Sequence, residues 1–150
     1  MDDPLQEYRS KRDLSRTPEP ADDGSEPSPF FVVQEHHASR LHHDLRLLID
    51  GTLKSWAVPK GVPDAPRIKR LAVQTEDHPV SYGSFEGTIP EGHYGAGTVT
   101  IFDRGDLSVK EREEGKIVFD IKGTRLNGTY ALIRFKGQER GDNWLLMRTR

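Results

Sequence analysis

The 150-residue sequence contains no cysteine. Disulfide bonds and thiolate metal sites are therefore excluded, and any bound metal ion must be held by histidine nitrogen or carboxylate oxygen. The sequence also has no apolar run long enough to cross a membrane, and its N-terminus lacks the basic-then-apolar layout of a secretory signal. From these absences we expect a soluble, cytoplasmic protein without a membrane partner.

A strong charge of either sign is also missing. The formal net charge is −2, and it is divided unevenly, with −4 on residues 1–30 and +2 on residues 31–150. A body this weakly basic lacks the obvious basic stripe of most duplex-binding domains. The composition still allows contacts with individual phosphate groups.

The chain changes character near residue 30. Residues 18–29 are rich in proline and acid, which predicts a flexible loop, and residues 5–16 have the composition of a short polar helix or an arm. From Phe30 onward, short runs of β-branched and aromatic residues are separated by turn residues, which is typical of β-strands. We therefore predict an N-terminal arm and loop over residues 1–29 and an all-β domain over residues 30–150.

Nine short strands are predicted in that domain. So many strands at this spacing favour a closed or partly closed β-barrel, which leaves few exposed edges. Turns are expected at Asp50-Gly51, Gly105-Asp106, Asn127-Gly128 and residues 141–143, and a tight turn is expected within the glycine-rich run 87–97. The predicted strands are Phe30–His36, His43–Ile49, Thr52–Val58, Arg70–Glu76, Gly97–Asp103, Leu107–Glu111, Lys116–Lys122, Thr129–Lys136 and Trp144–Arg148.

Four of the six histidines fall within residues 34–46. Alternate residues of a strand share a face, so His42, Asp44 and Arg46 would project from one surface while Leu45, Leu47 and Ile49 project from the other. Imidazole and carboxylate suit a divalent transition metal, and a guanidinium suits an oxyanion such as phosphate. With His36 on a neighbouring strand, the pattern predicts a two-histidine, one-carboxylate metal site beside a phosphate clamp.

Several of these residues have ordinary structural explanations when they are taken singly. A lone histidine is more often a hydrogen-bonded structural residue than a ligand, which is the default for His37, His43 and His93. Arg46 could equally be a surface arginine paired with Asp50. A second polar cluster, residues 75–82, ends a predicted strand, which is a common location for functional side chains.

Several motifs along the chain occur together in one enzyme family. They are Phe31 to Gln34, the pattern His-x5-His-x-Asp-x-Arg at His36, His42, Asp44 and Arg46, residues 53–61, residues 69–74, Glu76 to Pro79 with Tyr82, residues 85–97, and Trp144 to Leu146. On these motifs the chain resembles the 3′-phosphoesterase module of DNA ligase D, a multidomain end-joining repair ligase. The likeness covers essentially the whole chain, including residues 11–14 and 17–20 of the arm.

The resemblance implies a manganese-dependent enzyme that heals DNA 3′ ends in non-homologous end joining. Such an enzyme removes a 3′-terminal ribonucleoside to leave a 3′-phosphate and then hydrolyses that phosphate to leave a 3′-hydroxyl. Its substrates would be primer-template 3′ ends that bear a ribonucleotide or a 3′-phosphate. Co2+ or Zn2+ are alternative metals, the expected state is a monomer, and the candidate partners are a separate DNA ligase, a polymerase and an end-binding protein.

The resemblance also implies roles for individual residues. The metal ligands fall on His36, His42 and Asp44, with His37 and His43 offering alternative ligands. The catalytic and phosphate contacts fall on Arg46, His78 and Tyr82, and the protonated form is one option for His78. Lys60 and Arg70 are additional basic contacts. Supporting positions with less defined roles are Gln34, Glu76, Arg12, Asp13 and Glu19.

Two other classes of function stay open. A two-histidine, one-carboxylate site on a β-barrel is also the ligand set of non-haem iron oxygenases. A non-catalytic module that binds nucleic-acid ends would need the phosphate contacts but not the metal. The sequence has no nucleotidyl-transferase lysine motif and no room for a polymerase domain, so we expect a separate end-healing enzyme that does not seal or extend ends itself.

Overall fold

The computed structural model of the protein describes residues 4–14, 16–19, 28–135 and 142–150. These residues form one short α-helix, one 3-10 helix and nine strands. The elements are α1 (Gln6–Ser10), β1 (Phe30–His37), β2 (Leu41–Ile49), β3 (Thr52–Val58), β4 (Lys69–His78), the 3-10 helix (Val80–Ser84), β5 (Gly87–Ile89), β6 (Gly97–Glu113), β7 (Lys116–Lys122), β8 (Asn127–Arg134) and β9 (Asn143–Arg148). Neither helix in the described part of the chain is long and apolar enough to span a membrane.

Eight of the strands close into an antiparallel β-barrel, which confirms the predicted fold class. The strands follow the order β1-β2-β3-β4-β9-β8-β7-β6, and β6 returns to pair with β1. The ninth strand, β5, pairs with the first residues of β6. Closure satisfies the backbone hydrogen-bonding groups that a strand at the edge of a sheet would leave unpaired.

The two faces of β1 and β2 pack into two different apolar clusters. Phe31, Val33, Leu45 and Leu47 point into the barrel. There they belong to an apolar cluster to which all eight barrel strands contribute residues. The alternate residues point outward, and the apolar ones among them pack with the arm, the 3-10 helix and β5. This outer cluster consists of Tyr8, Phe30, Val32, Leu48, Leu53, Tyr82, Phe85, Ile89 and Val99. The outer face of these strands is thus partly covered rather than open to solvent.

The N-terminal helix is held by tertiary contacts. Five residues are too few for a helix to be stable alone in water, and α1 has no side-chain cap on its first turn. Tyr8, however, is completely buried, with its ring edge against Tyr82 at a centroid separation of 5.9 Å. The predicted flexible loop at residues 18–29 falls mostly outside the described residues.

Two of the predicted turns are wrong, because the residues at both positions lie in strands. Gly105 and Asp106 lie inside the continuous strand β6, which changes its partner there from β1 to β7. A side chain at position 105 would collide with the backbone carbonyl of Lys122, so this glycine permits close approach of β7. Asn127 and Gly128 begin β8.

Asp103 organises the true connection between β7 and β8. Its carboxylate accepts hydrogen bonds from the backbone N–H groups of Thr124, Arg125 and Leu126 at 3.0, 3.0 and 2.7 Å. The turn therefore falls at residues 123–126, a few residues before its predicted place. The Asp50-Gly51 turn is confirmed, with positive φ at both residues, and the turn predicted at residues 141–143 lies partly outside the described residues.

Candidate metal and phosphate site

The site is built on the outer face of β1 and β2. In the register of this antiparallel pair, His36 lies opposite His42, Gln34 opposite Asp44, and Val32 opposite Arg46. Directly opposed residues of neighbouring strands point to the same side of a sheet. The predicted sharing of one face by His42, Asp44 and Arg46 is therefore confirmed, as is the position of His36 on a neighbouring strand.

His36, His42 and Asp44 form the one group of histidine and acidic side chains in the described residues that could hold a metal ion. Their ligand atoms all lie within 4.8 Å of one another. Nε2 of His42 is 3.1 Å from Oδ1 of Asp44, and Nδ1 of His36 is 3.5 Å from Oδ2. A metal with bonds of about 2.1 Å separates its ligand atoms by about 3.0–3.4 Å, so the three side chains fit such an ion with little movement.

The backbone orients His36 toward this cluster. Nε2 of His36 lies 2.8 Å from the carbonyl oxygen of Gly95, and a carbonyl only accepts, so Nε2 carries the proton. In its neutral form the ring then presents the lone pair of Nδ1 to the Asp44 carboxylate. The contact is favourable when a proton or a metal ion lies between the two atoms, and a histidine metal ligand with an outer hydrogen bond has the second arrangement.

The charge states of Asp44 and His42 are set by their mutual contact. Burial alone would raise the pKa of Asp44, but contacts with His36 and His42 and the charge of Arg46 outweigh it and lower the pKa. The hydrogen bond to Asp44 raises the pKa of His42. The carboxylate is therefore ionised throughout the physiological range, as a metal ligand must be.

Arg46 lies next to Asp44 on the same face of β2. It is buried, and its Nε donates to Oε1 of Gln34 at 2.6 Å. One terminal nitrogen lies 3.2 Å from Nδ1 of His78, the other lies 3.7 Å from Asp44, and the guanidinium packs on the ring of Tyr82. The alternative of a surface arginine is wrong, because Asp50 pairs with Arg112 on the exterior instead.

His78 is a buried imidazole that its surroundings hold toward the neutral form. Its burial, together with the positive charges of Arg46 and Arg12, holds its pKa well below the usual range. The protonated donor that was one option for this residue is therefore disfavoured. Nε2 lies 3.4 Å from a terminal nitrogen of Arg12, so His78 sits between two guanidinium groups. The two guanidinium groups thus flank His78 beside the three metal-ligand candidates.

The arm supplies the far wall of the site. Arg12 donates from Nε to Glu19 at 2.7 Å and from a terminal nitrogen to Glu76 at 3.2 Å. Glu19 also accepts a hydrogen bond of 2.9 Å from the hydroxyl of Tyr82. Burial is the main reason that the pKa of Tyr82 is raised, so the phenol keeps its proton and acts as a hydrogen-bonding group. Three of the supporting positions thus form one connected network.

A cavity of about 310 Å3 brings these groups together. Its polar lining includes all three metal-ligand candidates and also Arg46, His78, Tyr82, Arg12, Glu19 and Glu76. Gln34 lies beneath it, completely buried, and donates to the backbone carbonyls of Tyr82 and Phe85 at 2.9 and 3.1 Å. The cavity therefore joins a metal-binding cluster to a group of N–H donors suited to an oxyanion.

Three of the predicted positions lie away from this cavity. Lys60 and Arg70 line a separate depression with Pro59, and Arg70 donates to the backbone carbonyls of Lys60 and Gly61. Asp13 is exposed and forms an ion pair of 3.3 Å with Arg16. Roles for these residues in phosphate binding or catalysis stay predictions.

The remaining histidines do not join the metal-ligand candidates. His43 points to the opposite face of β2, where its Nδ1 accepts a hydrogen bond of 3.0 Å from the backbone N–H of Val62. His37 is exposed and lies 3.4 Å from Glu35, and His93 lies in the loop before β6 without lining the cavity. His43 is therefore a hydrogen-bonded structural residue. Neither His37 nor His43 is placed to offer an alternative metal ligand.

Residues that sequence reasoning did not single out also line the cavity. Tyr94 and Gly95 come from the glycine-rich run, Ala38 from the β1–β2 loop, and Ile89 from β5. Nothing in the spacing of the glycine-rich run indicates that it folds back onto His36. The one signal was its inclusion among the family motifs.

The comparisons with known proteins agree with this geometry. Residues 34–134 match the family model described as the DNA ligase D 3′-phosphoesterase domain. The chain is 48% identical, over 98% of its length, to the multifunctional non-homologous end joining protein LigD of Pseudomonas aeruginosa. It is 46% identical, over 97% of its length, to the multifunctional non-homologous end joining DNA repair protein LigD of Mycobacterium tuberculosis.

The match concerns one part of these larger proteins. The chain spans 19% of the Pseudomonas protein and 20% of the Mycobacterium tuberculosis protein. The matched family model begins at Gln34 and ends at Arg134, so it includes the metal-ligand candidates, Arg46, His78 and Tyr82. The sequence motifs, the barrel and the comparisons thus lead to one assignment: this chain belongs to the family of DNA ligase D 3′-phosphoesterase domains.

Proposed function

We propose that the protein is a divalent-metal-dependent phosphoesterase that heals DNA 3′ ends. It removes a 3′-terminal ribonucleoside, leaving a 3′-phosphate, and then hydrolyses the phosphate to a 3′-hydroxyl. The metal is Mn2+, and the ends arise in non-homologous end joining, the process named in its relatives. Such work would be done in the cytoplasm, beside a ligase, a polymerase and an end-binding protein.

One observation carries this proposal: the metal-ligand candidates and the oxyanion donors share a single cavity. His36, His42 and Asp44 provide nitrogen and oxygen ligands, a donor set that Mn2+ accepts. Arg46 offers N–H groups a few ångströms away, since one of its terminal nitrogens is 3.7 Å from Asp44. A phosphate ester could therefore contact a metal ion held by His36, His42 and Asp44 and the guanidinium of Arg46 at the same time.

The chain's own residues would bind and orient the ester. When bound, a divalent metal ion supplies Lewis-acid polarisation of a phosphoryl oxygen and a lowered pKa for a bound water. Arg46 donates to the other phosphoryl oxygens as charge accumulates on them, and its bond to Gln34 keeps the guanidinium in place. Nδ1 of His78 lies 2.9 Å from the backbone carbonyl of Glu76, which only accepts, so Nδ1 carries the proton and Nε2 acts as a hydrogen-bond acceptor.

Tyr82 and the arm complete the binding surface. The Tyr82 phenol is fixed by Glu19 and stays protonated, so it positions an ester oxygen as a hydrogen-bond donor once that bond is exchanged. Arg12 adds a second guanidinium on the other side of His78. Arg46 and a bound divalent metal ion would together balance the charge of a dianionic phosphate monoester, the substrate of the second step, while Arg12 stays paired with Glu19 and Glu76.

The two rival classes of function, an oxygenase and a binding module for nucleic-acid ends, predict different behaviour. An oxygenase with the same ligand set would use iron and a 2-oxo acid and leave the phosphodiester intact. A binding module for nucleic-acid ends would keep its affinity after chelation and after loss of Asp44. Membership in a phosphoesterase family and the clustering of Arg12, Arg46 and His78 around the cavity favour phosphate chemistry over both.

A single time course tests the proposal. Purified protein is incubated with Mn2+ and a labelled primer-template that ends in one ribonucleotide. A 3′-phosphate intermediate should rise and then decay into a 3′-hydroxyl product, and an all-DNA end that lacks the 2′-hydroxyl should react far more slowly. A nuclease would instead degrade past the junction.

The substrate arms separate the parts of the proposal. If a preformed 3′-phosphate is removed while the ribonucleotide end survives, the protein is only a 3′-phosphatase and the first step is withdrawn. If neither end reacts with Mn2+, Co2+ or Zn2+, the phosphoesterase proposal fails as a whole.

A further inference from the structure

The cavity holds more than a phosphate needs. Its volume of about 310 Å3 reaches the roughly 300–1,000 Å3 of pockets that enclose whole small molecules. Beside the charged groups it has an apolar wall formed by Ala38, Ile89 and Tyr94. Apolar side chains contribute nothing to oxyanion stabilisation, so this wall suits the organic part of a substrate.

Tyr94 is the exposed aromatic residue of that wall. Its side chain is 46% exposed, although an aromatic ring of this size is normally buried for the most part. The ammonium group of Lys11 lies over the ring, 4.7 Å from its centroid, and donates a hydrogen bond of 3.4 Å to the phenol oxygen of Tyr94, while the guanidinium of Arg12 lies 5.2 Å from the ring centroid. The ring is therefore held in place while a large part of it stays accessible.

The position of Tyr94 relative to the metal cluster is fixed by its neighbour in the chain. The carbonyl of Gly95 accepts the 2.8 Å hydrogen bond from His36, and consecutive Cα atoms are about 3.8 Å apart. Gly95 has a φ of +78°, which glycine adopts without strain, so the loop can make this close approach. A phosphate beside His36 would place an attached nucleoside within reach of the ring.

We propose that Tyr94 is a specificity-determining residue that stacks on the nucleobase of the 3′-terminal ribonucleoside. This inference rests on the proposed function and names the part of the substrate that the apolar wall receives. Every nucleobase has a π-face, so stacking on an aromatic side chain adds affinity without reading sequence. The ring would hold the leaving nucleoside while its phosphate contacts Arg46 and the metal-ligand candidates.

The terminal nucleoside fits the wall better than the nucleoside on the other side of the phosphate. The DNA chain continues from that other nucleoside and must leave the cavity toward solvent. The terminal ribonucleoside has no continuation, so it is the part that the cavity can receive beside Tyr94. Stacking should therefore matter for ribonucleoside removal and not for hydrolysis of the 3′-phosphate that remains.

The test combines a change of side chain with a change of substrate. Tyr94→Leu and Tyr94→Phe are compared with wild type on three ends: a terminal ribonucleotide, a terminal abasic ribose that keeps its 2′-hydroxyl, and a 3′-phosphate. Tyr94→Leu should raise the KM for the ribonucleotide end about tenfold with little change in kcat. Its rates on the abasic end and on the 3′-phosphate should stay within about threefold of wild type. Tyr94→Phe keeps the ring and should behave as wild type on all three ends.

Phe135 supplies the matched control. It is also an exposed aromatic, at 43%, but it does not line the cavity. Phe135→Leu should leave all three substrates unaffected, which excludes a general effect of removing a surface ring.

The outcomes separate the inference from the function on which it rests. Equal losses on all three ends for Tyr94→Leu would show that the ring only supports the fold of the site, and unchanged kinetics on the ribonucleotide end would also overturn the inference. In both cases wild type would still process the ends. Inactivity of wild type on all three would instead overturn the proposed function.

Discussion

Nε of Arg46 donates a hydrogen bond of 2.6 Å to Oε1 of Gln34, on the strand beside it. The amide nitrogen of Gln34 is in turn held by the carbonyls of Tyr82 and Phe85. This chain of bonds ties the guanidinium to the segment that carries Tyr82, whose ring lies under it at 4.7 Å. The two terminal nitrogens of Arg46 are left facing His78 and Asp44 in the cavity.

Arg46→Lys should therefore fail nearly as badly as Arg46→Ala. Lysine keeps the positive charge but has no second nitrogen to bond Gln34 while it binds phosphate. Loss of a bidentate, charge-assisted contact corresponds to about 2–4 kcal/mol, or roughly 30- to 1000-fold in rate. Steady-state rates on a 3′-phosphate end measure the effect. Arg104→Lys, at an exposed arginine that packs on Phe30, is the matched control. Full activity of Arg46→Lys would mean that Arg46 supplies only charge.

Removal of the metal should abolish both steps. Chelator-treated protein should be inactive and should recover when Mn2+ is added, because His36, His42 and Asp44 provide the one metal-ligand cluster in the described residues. His42→Ala and Asp44→Ala should each lose at least roughly 100-fold in activity and in Mn2+ affinity. His37→Ala, at an exposed histidine next to His36, should be unaffected.

The metal prediction is checked by elemental analysis and by titration of the metal-free protein with Mn2+. Undiminished activity in protein shown to contain no metal would contradict it. Activity within a few-fold of wild type in Asp44→Ala would exclude this carboxylate from metal binding.

His78 should make the metal-free protein less stable in acid. Its pKa in the folded state is held well below its ordinary value of 6.5 by burial and two guanidinium groups. Below that ordinary value the unfolded chain binds a proton that the folded chain does not, so stability is lost as the pH falls. The other groups, including His42 with its raised pKa, titrate equally in wild type and in a His78 variant.

Urea unfolding of wild type and His78→Gln measures this effect. Between about pH 7.5 and about pH 5.5, wild type should lose about 1 kcal/mol more of its free energy of unfolding than His78→Gln does. An equal loss in the two proteins would show that His78 is protonated in the folded state, contrary to the direction of its pKa shift.

Deletion of residues 1–20 should impair ribonucleoside removal. The deletion removes Arg12 and Glu19, which bond Glu76 and Tyr82 at the cavity wall, and it uncovers part of the outer apolar cluster by removing Tyr8. The barrel should persist, since its interior cluster contains no arm residue. Circular dichroism and thermal unfolding check the fold, and the primer-template assay checks the activity. Arg16→Ala, which removes an exposed ion pair with Asp13, should keep full activity. Normal processing by the truncated protein would show that the arm is dispensable for activity.

Much of this protein is determined locally by its sequence. The alternation of polar and apolar residues in β2 decides that Asp44 and Arg46 share a face, because the side-chain period of a strand is two. The Asp50-Gly51 pair sets the β2–β3 turn, because both residues accept positive φ. The barrel class followed from the number and spacing of strands.

Other features were decided only by the tertiary structure. Gly105 carries the same local signal as a turn residue, and only the approach of Lys122 shows that it serves strand packing. His36 lies opposite His42 only because β1 pairs with β2 in this register, and the local sequence of neither strand specifies that pairing. The return of Glu19 and Tyr94 to the cavity depends on contacts between residues far apart in the chain. Local propensity carries no information about such long-range contacts, so only the closed barrel and the arm packed on it bring these groups to one site.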